Sequence, residues 1–447
     1  MSLKTIALQF GGSQIEVEVP DTSDVLSAGK VTTLPDPAAA VHACLREPVG
    51  TASLPELARD CGDAVVVVSD NTRPVPYGGP KGILPPIIEA LKAGSISKIK
   101  ILVGCGTHRP MAEPELRDML GDSGFQDGIE VINHVCTDET MLRSIGKTDR
   151  TPEVRVNRHY LDAQLKIATG LVEPHFMAGF SGGRKAICPG VCGQSVTYGL
   201  HSASILNAER STNLVLDGNP CHEEALRIAR MAGVDFIVNV TIDNNKEVTG
   251  VFAGELEEAH LAAVEHLRGY ATIPIKKRYD VVITQAGDVG VNHYQCVKAV
   301  FEASRVAKPD GKIILLGNLT DPDPVGNPNY KDMLGLAIRL GPEGYLEKIL
   351  DPDRTFVPDQ WEVQMWAKAY CRLAGPKKIY ICAPQLEDCP GDLLPETNVA
   401  AQNKRLPGES NMDFARRIVQ ETIDQLTQGA GEKETLVLPD GPYAVPQ

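Results

Sequence analysis

The sequence predicts an α/β protein of two domains, with parallel or mixed sheets flanked by helices. The chain has 447 residues, and a single hydrophobic core seldom supports a chain of that length. Short β-branched runs alternate with helical segments in both halves, which is typical of parallel sheets. Residues 64–68 are apolar at every position, as expected for a strand buried on both faces.

The N-terminal part begins with an alternating polar and apolar pattern around a Gly-Gly turn, which predicts a hairpin. Residues 21–60 indicate a loop and a helix, and alternating strands and helices follow. We predict strands at 5–10, 14–19, 64–68, 98–103, 130–134, 166–172 and 236–242, and helices at 82–93 and 113–120.

A second α/β segment begins near residue 280. We assign 1–271 to an N-terminal cofactor-binding domain, 272–279 to a linker and 280–447 to a C-terminal domain. The final helix, 412–427, can pack back on the N-terminal domain, and we expect the polar tail from Gly429 to be mobile. The other predicted elements of this segment are strands at 280–284, 312–316 and 378–382 and a helix at 294–305.

Charge and hydropathy narrow the class of partner. The formal net charge is -14, which argues against a general nucleic-acid surface but leaves small anionic substrates open. No run of about 18 apolar residues is present, and the N-terminus lacks a basic-then-apolar signal pattern. We therefore expect a cytoplasmic protein that binds neither nucleic acid nor membrane.

Charged and imidazole side chains follow three predicted strands. Asp70 and Arg73 come after the strand at 64–68, His108 after the next strand, and His175 and Lys185 after the strand at 166–172. In open parallel sheets, ligands bind beyond the carboxyl ends of the strands. Each residue alone is more simply a loop residue, but together they predict one shared site.

The third of these loops contains the glycine-rich segment 179–188. Such a turn lets backbone N–H groups approach a phosphate, and here it also contains Lys185 and follows His175. The segment is neither a Walker A motif nor the Gly-x-Gly-x-x-Gly element of a dinucleotide-binding fold. The loop therefore predicts an anion cradle beside an amine and an acid/base group.

Six short motifs resemble those of the lactate racemase family. They occur in the same order and span residues 70 to 361, so they cover both predicted domains. The motifs are Asp-Asn-Thr-Arg-Pro at 70–74, Gly-Thr-His-Arg-Pro at 106–110, Glu-Pro-His at 173–175, Gly-Phe-Ser-Gly-Gly-Arg-Lys at 179–185, Tyr-Gln-x-x-Lys at 294–298 and Asp-Gln-Trp at 359–361.

The resemblance implies two α/β domains with the active site in the interdomain cleft, and a nickel-pincer nucleotide made by dedicated cofactor-synthesis enzymes. This cofactor is a pyridinium-3,5-bisthiocarboxylic acid mononucleotide that holds nickel. By position, Lys185 is its covalent attachment point and His201 its nickel ligand, since Ni(II) with such ligands favours a square plane. The other implied cofactor contacts are Asp70 and Thr72, which position it, and Ser181, Gly182 and Gly183, which meet its phosphate.

The resemblance further implies a racemase or epimerase of a small 2-hydroxy acid, lactate or a related 2-hydroxycarboxylate. Because the α-proton of a carboxylate is very weakly acidic, hydride removal to a 2-keto acid is the easier route. His108 and His175 resemble the pair of acid/base groups that this route needs. The implied substrate-binding residues are Arg73, Tyr294, Gln295, Lys298 and Trp361.

Two other functions stay open at this point. A NAD-dependent 2-hydroxyacid dehydrogenase would act on the same substrates, although its Gly-x-Gly-x-x-Gly element is missing. A non-catalytic hydroxyacid-binding relative would keep the fold without the reaction. Arg184 stands where lactate-specific members would have a small residue, and either a phosphate contact or exposure to solvent would account for it.

Overall fold

The computed structural model describes residues 2–427 and 433–447, and the chain divides into two compact units. The first unit is Lys30–Tyr270, and the second combines Met1–Gly29 with Ala271–Gln447. This division differs from the predicted domains at the N-terminus, because residues up to Gly29 group with the C-terminal segment. The predicted linker at 272–279 belongs to the second unit, where Thr272–Ile273 pairs with Val445–Pro446.

The first unit has a six-stranded sheet with helices packed against it. The strands of this unit are Asp63–Ser69, Lys98–Gly104, Ile129–Asn133, Leu142–Ser144, Arg155–Asn157, Leu165–Leu171, Pro174–His175, Gly179–Phe180, Phe236–Ile242 and Val248–Gly254. Its α-helices are Pro37–Arg46, Leu54–Ala58, Leu84–Ala93, Glu113–Leu120, Arg158–Leu161, Gln194–Leu200, Ala203–Asn207, Pro220–Ala232 and Glu258–Ala271, with 3-10 turns at Asp122–Phe125, Glu139–Met141 and Gly183–Ala186.

The order of strands in this sheet places three site loops side by side. Asp63–Ser69 lies between Lys98–Gly104 and Leu165–Leu171, and all three run parallel. Phe236–Ile242 extends the sheet in parallel, and Val248–Gly254 closes that edge in an antiparallel direction. Val65 to Val68 are fully buried at the centre, as the apolar run predicts. Parallel strands end at the same sheet edge, so their following loops meet there.

The second unit has a parallel six-stranded sheet. Its strands are Leu3–Phe10, Ser13–Pro20, Asp24–Val25, Thr272–Ile273, Tyr279–Gln285, Ala307–Leu316, Ile379–Cys382, Thr397–Asn398, Thr435–Leu438 and Val445–Pro446. Its α-helices are His293–Val306, Pro328–Leu350, Gln360–Arg372, Val399–Gln402 and Asn411–Thr427, with 3-10 turns at Pro376–Lys378, Pro384–Leu386 and Gly441–Tyr443. The helix Pro328–Leu350 is two helices joined across a kink at Gly341, ahead of Pro342.

The C-terminal tail corrects the expectation of a mobile segment. Thr435–Leu438 is fully buried and pairs in parallel with Tyr279–Gln285 on one side and Asp24–Val25 on the other. The expectation began at Gly429, which lies outside the described residues. The strand has only four residues and polar neighbours in the sequence, so no local pattern predicts it. Its burial comes from pairing with strands that are distant in the sequence.

The final helix, Asn411–Thr427, packs within the second unit. Its apolar face, including Phe414 and Ile418, joins the core formed with the N-terminal hairpin. Gln420 accepts from the backbone N–H of Glu18 at 2.8 Å and donates to its carbonyl at 3.0 Å. Among residues 2–427 and 433–447, no helix has the length and apolarity needed to cross a bilayer.

Candidate active site

A cavity of about 200 Å³ lies at the carboxyl ends of the three adjacent strands in the first unit. The side chains around it come from the loops after those strands and from the helix Gln194–Leu200 with its C-terminal residue. The sequence-predicted residues that line this cavity are Asp70, Thr72, Arg73, His108, Ser181, Gly182, Lys185 and His201. His175 and Gly183 are not among the lining residues of the described chain.

Asp70 and His108 form a hydrogen-bonded pair on neighbouring loops. Nδ1 of His108 is 2.6 Å from Oδ2 of Asp70, while the backbone N–H and hydroxyl of Thr72 donate to Oδ1 at 3.2 and 2.6 Å. Burial favours a raised pKa for Asp70, but the hydrogen bonds from His108 and Thr72 and the charge of Arg73 hold that pKa below its usual value. The carboxylate is therefore ionised and orients the imidazole of His108, which is 55% exposed.

Lys185 and His201 line the cavity, and burial disfavours the charged form of each. Burial, with the positive charge of Arg73, lowers the pKa of Lys185 to about 7. Burial also lowers the pKa of His201 to about 4. Nδ1 of His201 donates to the carbonyl of Thr197 at 2.8 Å, so the lone pair of the neutral ring is on Nε2. An amine that is partly uncharged at neutral pH and a neutral imidazole thus face one cavity.

Most of the backbone N–H groups described here for the glycine-rich turn bond to other protein atoms. Gly182 has φ +74°, and a Cβ there would be 2.6 Å from Val172. The N–H of Gly183 donates to Oδ1 of Asn239 at 2.9 Å, and the N–H of Ser181 donates to the carbonyl of Glu173 at 3.0 Å. The backbone N–H groups of Ser181 and Gly183 thus bond to the protein, while Ser181 and Gly182 both line the cavity.

Arg184 is buried, which removes the solvent-exposed alternative raised from the sequence. Its guanidinium is 1% exposed and donates to the carbonyls of Ala178 and Phe180, both at 2.8 Å. A third contact, to the carbonyl of Gly182, is 3.4 Å long. Burial lowers the pKa of Arg184 to about 10. Through these hydrogen bonds, Arg184 stabilises the turn that contains Lys185.

His175 ends the two-residue strand Pro174–His175, which pairs with Gly179–Phe180. Its Nδ1 accepts the backbone N–H groups of Met177 at 3.3 Å and Ala178 at 3.2 Å. The ring lies beside Phe176, with 5.6 Å between ring centroids. Two backbone N–H groups of the hairpin turn therefore fix the orientation of the His175 ring.

Arg73 connects the first and third site loops. Its Nε is 3.1 Å from Oε1 of Glu173, and both side chains are about a quarter exposed, at 26% and 28%. A second nitrogen, Nη1, donates to the carbonyl of Thr72 at 3.2 Å. The guanidinium thus reaches the cavity with one carboxylate partner already in place.

The remaining predicted residues lie in the second unit, on two of its helices. Asn292 caps the helix His293–Val306 by accepting the N–H of Gln295 at 3.0 Å. The hydroxyl of Tyr294 accepts from Nε1 of Trp361 at 2.8 Å and donates to Asp359 at 3.3 Å. Trp361 is 8% exposed and packs beside Phe356, so it is a largely buried member of this cluster.

Gln295 and Lys298 are three residues apart on the same helix, as the sequence predicts, and both are half-buried. The side-chain oxygen of Gln295 is buried and has no hydrogen-bond partner among the described residues. Burial raises the pKa of the nearby Glu362 to about 8, against the opposing charge of Lys298. The amide of Gln295 thus keeps an acceptor oxygen that no described residue uses.

Sequence reasoning did not assign roles to several residues that hold the site together. Glu173 and Asp359 lie inside the quoted motifs, but the sequence does not show that they bond to Arg73 and Tyr294. Asn239 interrupts an apolar strand run, a pattern that signals a buried polar contact. Among residues 2–427 and 433–447, no cluster of three or more His, Cys, Asp or Glu side chains could hold a metal alone.

Comparison with known sequences agrees with the motifs. Residues 10–213 match the family described as the lactate racemase N-terminal domain. A lactate racemase from Lactiplantibacillus plantarum is 31% identical over 331 residues, which covers 73% of this chain and 76% of the relative. A lactate racemase from Thermoanaerobacterium thermosaccharolyticum is 30% identical over 374 residues, 82% of this chain and 86% of the relative.

Comparison with solved structures gives the same family. The lactate racemase apoprotein from Thermoanaerobacterium thermosaccharolyticum superposes with a TM-score of 0.84 at 26% identity, covering 99% of this chain and 100% of that one. A protein from Thermotoga maritima superposes with a TM-score of 0.60 at 18% identity, covering 88% of this chain and 96% of that one, which is a likeness of fold. The predicted α/β class is confirmed.

Proposed function

Because this chain belongs to the lactate racemase family and is an isomerase of the racemase class, we propose that it interconverts the stereoisomers of a small 2-hydroxy acid, lactate or a related 2-hydroxycarboxylate. The reaction proceeds by reversible hydride transfer through a 2-keto acid. The observation that carries this proposal is the single cavity that contains the Asp70–His108 pair, Lys185 and His201. The relatives are racemases, which favours this function over the dehydrogenase.

The proposed cofactor is a nickel-pincer nucleotide attached to Lys185, and when bound it supplies a reversible hydride acceptor. The lysine fits this role, because forming a thioamide requires an unprotonated amine. With a pKa of about 7, a large fraction of Lys185 is uncharged at neutral pH, whereas an ordinary lysine is almost fully protonated. Maturation then depends on enzymes that synthesise the nucleotide.

His201 fits the role of the nickel ligand. A metal-binding histidine normally donates its other ring N–H to a carboxylate or carbonyl, which fixes the tautomer. The 2.8 Å bond from Nδ1 to the carbonyl of Thr197 does this and orients Nε2 as the ligating atom. With its pKa near 4, the ring does not lose the metal to a proton at neutral pH.

The substrate carboxylate needs cationic partners, and Arg73 and Lys298 are the proposed ones. Within the described chain, Nε and Nη1 of Arg73 bond to Glu173 and Thr72, which leaves Nη2 to hold one carboxylate oxygen. Gln295 would add an amide contact to the substrate, and Tyr294 and Trp361 are further proposed substrate-binding residues. The hydroxyl proton of the substrate is exchanged with His108 and His175.

The direct test is a chiral assay of the nickel-loaded protein with single stereoisomers of lactate and of larger 2-hydroxy acids. We expect each accepted isomer to be converted into its mirror image or epimer without added NAD. Optical activity should be lost without net formation of 2-keto acid. Steady production of 2-keto acid that depends on NAD would contradict the proposal and restore the dehydrogenase.

A further inference from the structure

The second unit contains a cluster of buried polar side chains that the sequence motifs do not include. Its centre is the pair His293 and Glu396, whose side chains are both completely buried. Nε2 of His293 is 3.2 Å from Oε1 of Glu396, and the hydroxyl of Tyr370 donates to the same oxygen. Nδ1 of His293 is 2.8 Å from the hydroxyl of Tyr330. We call these four residues the His293 cluster.

Stability alone gives little reason for this cluster. Burial favours a raised pKa for Glu396, but the interaction with His293 and the hydrogen bond from Tyr370 hold that pKa below its usual value, so the carboxylate is ionised. Its second oxygen, Oε2, is buried without a hydrogen-bond partner among the described residues. Burying a carboxylate costs desolvation energy, and proteins in which a buried ion pair is replaced by apolar residues of similar volume are often as stable or more stable. The cluster therefore suits a role in placing other residues better than a role in stability.

The cluster connects the two helices that contain the proposed substrate-binding residues of this unit. His293 is the first residue of the helix His293–Val306, which contains three of those residues, and Tyr370 lies on the helix Gln360–Arg372, which contains the fourth. The ring of Trp366, on the second of these helices, stacks on the imidazole of His293 with 4.6 Å between ring centroids and 4° between ring planes. Contacts of the single side chain of His293 therefore hold the two helices against each other.

Tyr330 connects the cluster to Tyr294. Its hydroxyl contacts His293, and its ring lies against that of Tyr294 with 5.0 Å between ring centroids. Space around both rings is limited, because a Cβ at Gly326 would be 2.9 Å from Cδ1 of Tyr330 and 3.5 Å from Cβ of Tyr294. The hydroxyl of Tyr294 accepts from Nε1 of Trp361 at 2.8 Å. A shift of the His293 ring would therefore move Tyr330 and, through it, Tyr294.

We propose that the His293 cluster positions the two helices so that their side chains can bind the carboxylate of the 2-hydroxy acid. His293 and Glu396 act through Tyr294 and the residues that follow it on the helix, so they are positioning residues and not catalytic ones. This inference rests on the proposed function and extends it to residues that do not touch the substrate. Disturbing the cluster should weaken substrate binding more than it slows the chemistry.

The two tryptophans of the chain, Trp361 and Trp366, report separately on the cluster and on its effect. Each gives one indole N–H signal in a ¹H–¹⁵N correlation spectrum of the full-length apoprotein, and Trp361→Phe assigns the two signals. Trp366 stacks on His293, whereas Trp361 bonds to Tyr294. Glu396→Met removes the carboxylate of the cluster. We expect it to shift both signals, because a displaced Tyr294 changes the hydrogen bond of Trp361.

Kinetics of the nickel-loaded protein give the second readout. Glu396→Met should raise KM about tenfold, which corresponds to the loss of one charge-assisted hydrogen bond to the substrate, with a smaller change in kcat. Glu396→Gln keeps a side-chain oxygen that can accept the hydroxyl of Tyr370, so its KM should stay within about threefold of the wild-type value. Tyr330→Phe is the milder second variant, because it removes only the hydroxyl at His293, and it should raise KM about two- to tenfold.

Thr422→Val is the matched control, because it removes a buried hydroxyl from another helix of the same unit, where that hydroxyl donates to the carbonyl of Ile418. It should leave both indole signals and KM as in the wild type. A shift of the Trp366 signal alone, or a wild-type KM in both Glu396→Met and Tyr330→Phe, would overturn the inference and leave the cluster a purely structural role. A wild-type protein that is loaded with nickel and racemises no 2-hydroxy acid would instead overturn the proposed function, whatever the indole signals show.

Discussion

The predicted site residues of the two units are held by different kinds of interaction. In the first unit they are titratable groups held by charge and burial, such as Asp70 with His108 and the half-neutral Lys185. In the second unit, Tyr294 and Trp361 are held mainly by hydrogen bonds and ring packing. Under the proposed function, the first unit would set protonation states for the chemistry and the second would recognise the substrate. Substitutions should separate accordingly.

The largest effect should come from Lys185→Ala. We expect complete loss of covalent cofactor attachment and of activity, because no other amine lines the cavity among the described residues. Intact mass of the co-expressed variant measures this. Lys81→Ala, at an exposed lysine of the same unit, should be modified like the wild type. Full attachment in Lys185→Ala would remove this lysine from the proposal.

The next largest effect should follow loss of either histidine. His108→Ala and His175→Ala should each slow racemisation from both stereoisomers by about 10²- to 10⁴-fold, the usual contribution of a proton-transfer group. Their attachment of cofactor should stay unchanged, since neither is the tether. Racemisation rates on protein normalised for nickel content measure the change. Activity within a few-fold of wild type in either variant would mean that its role is misassigned.

Lys298→Met tests recognition by the second unit. Loss of a charged partner for the substrate carboxylate should raise KM about ten- to hundredfold, the range of a charge-assisted hydrogen bond, with a smaller change in kcat. Lys348→Met, at an exposed lysine of the same unit, is the matched control. If kcat fell and KM did not change, the second unit would take part in the chemistry and the comparison of the two units would fail.

The charge state of Lys185 can be measured by its pH-dependent labelling. Acylation of the apoprotein amine should rise about tenfold per pH unit below pH 7 and level off above it, because only the unprotonated form reacts and its pKa is about 7. Peptide mass spectrometry gives the extent of labelling at each lysine. A model lysine peptide labelled in the same way, with a pKa of about 10.4, should keep gaining label well beyond pH 9. The same profile for Lys185 and for the peptide would mean that burial does not depress the pKa of Lys185.

The smallest effect should come from Tyr294→Phe. The change removes the hydroxyl between Trp361 and Asp359 and should raise KM only about two- to tenfold, as expected for neutral hydrogen bonds. Initial rates at several substrate concentrations separate KM from kcat. Tyr380→Phe, in a sheet strand of the same unit, controls for general loss of packing. Complete loss of activity would indicate a chemical role for the Tyr294 hydroxyl.

Much of the fold could be predicted because its signals are local. The strand Phe236–Ile242 and the helix Glu113–Leu120 have the predicted bounds. An apolar run predicts the strand and an acidic first turn predicts the helix, and both patterns consist of consecutive residues. The strand Thr435–Leu438 and the grouping of Met1–Gly29 with the C-terminal segment were missed. Both depend on pairing between residues hundreds of positions apart, which no short pattern records.

The site shows the same division between local and distant information. That Asp70, His108 and Lys185 share one site was predictable, because each follows a predicted strand and parallel strands end at the same sheet edge. The burial of Arg184 did not, because its three carbonyl partners are created by the fold of the turn itself. The hydrogen bonds of His108 and His175 likewise depend on partners that only the folded chain places.

The most direct test of the central claim is the intact mass and nickel content of the protein made in a host that supplies the cofactor-synthesis enzymes. The account predicts an adduct of nucleotide size located on Lys185, together with an equimolar amount of nickel. Cofactor detected in the small-molecule extract of the same cells confirms its supply. An unmodified, nickel-free chain from such cells would contradict the account, whatever the likeness of the fold.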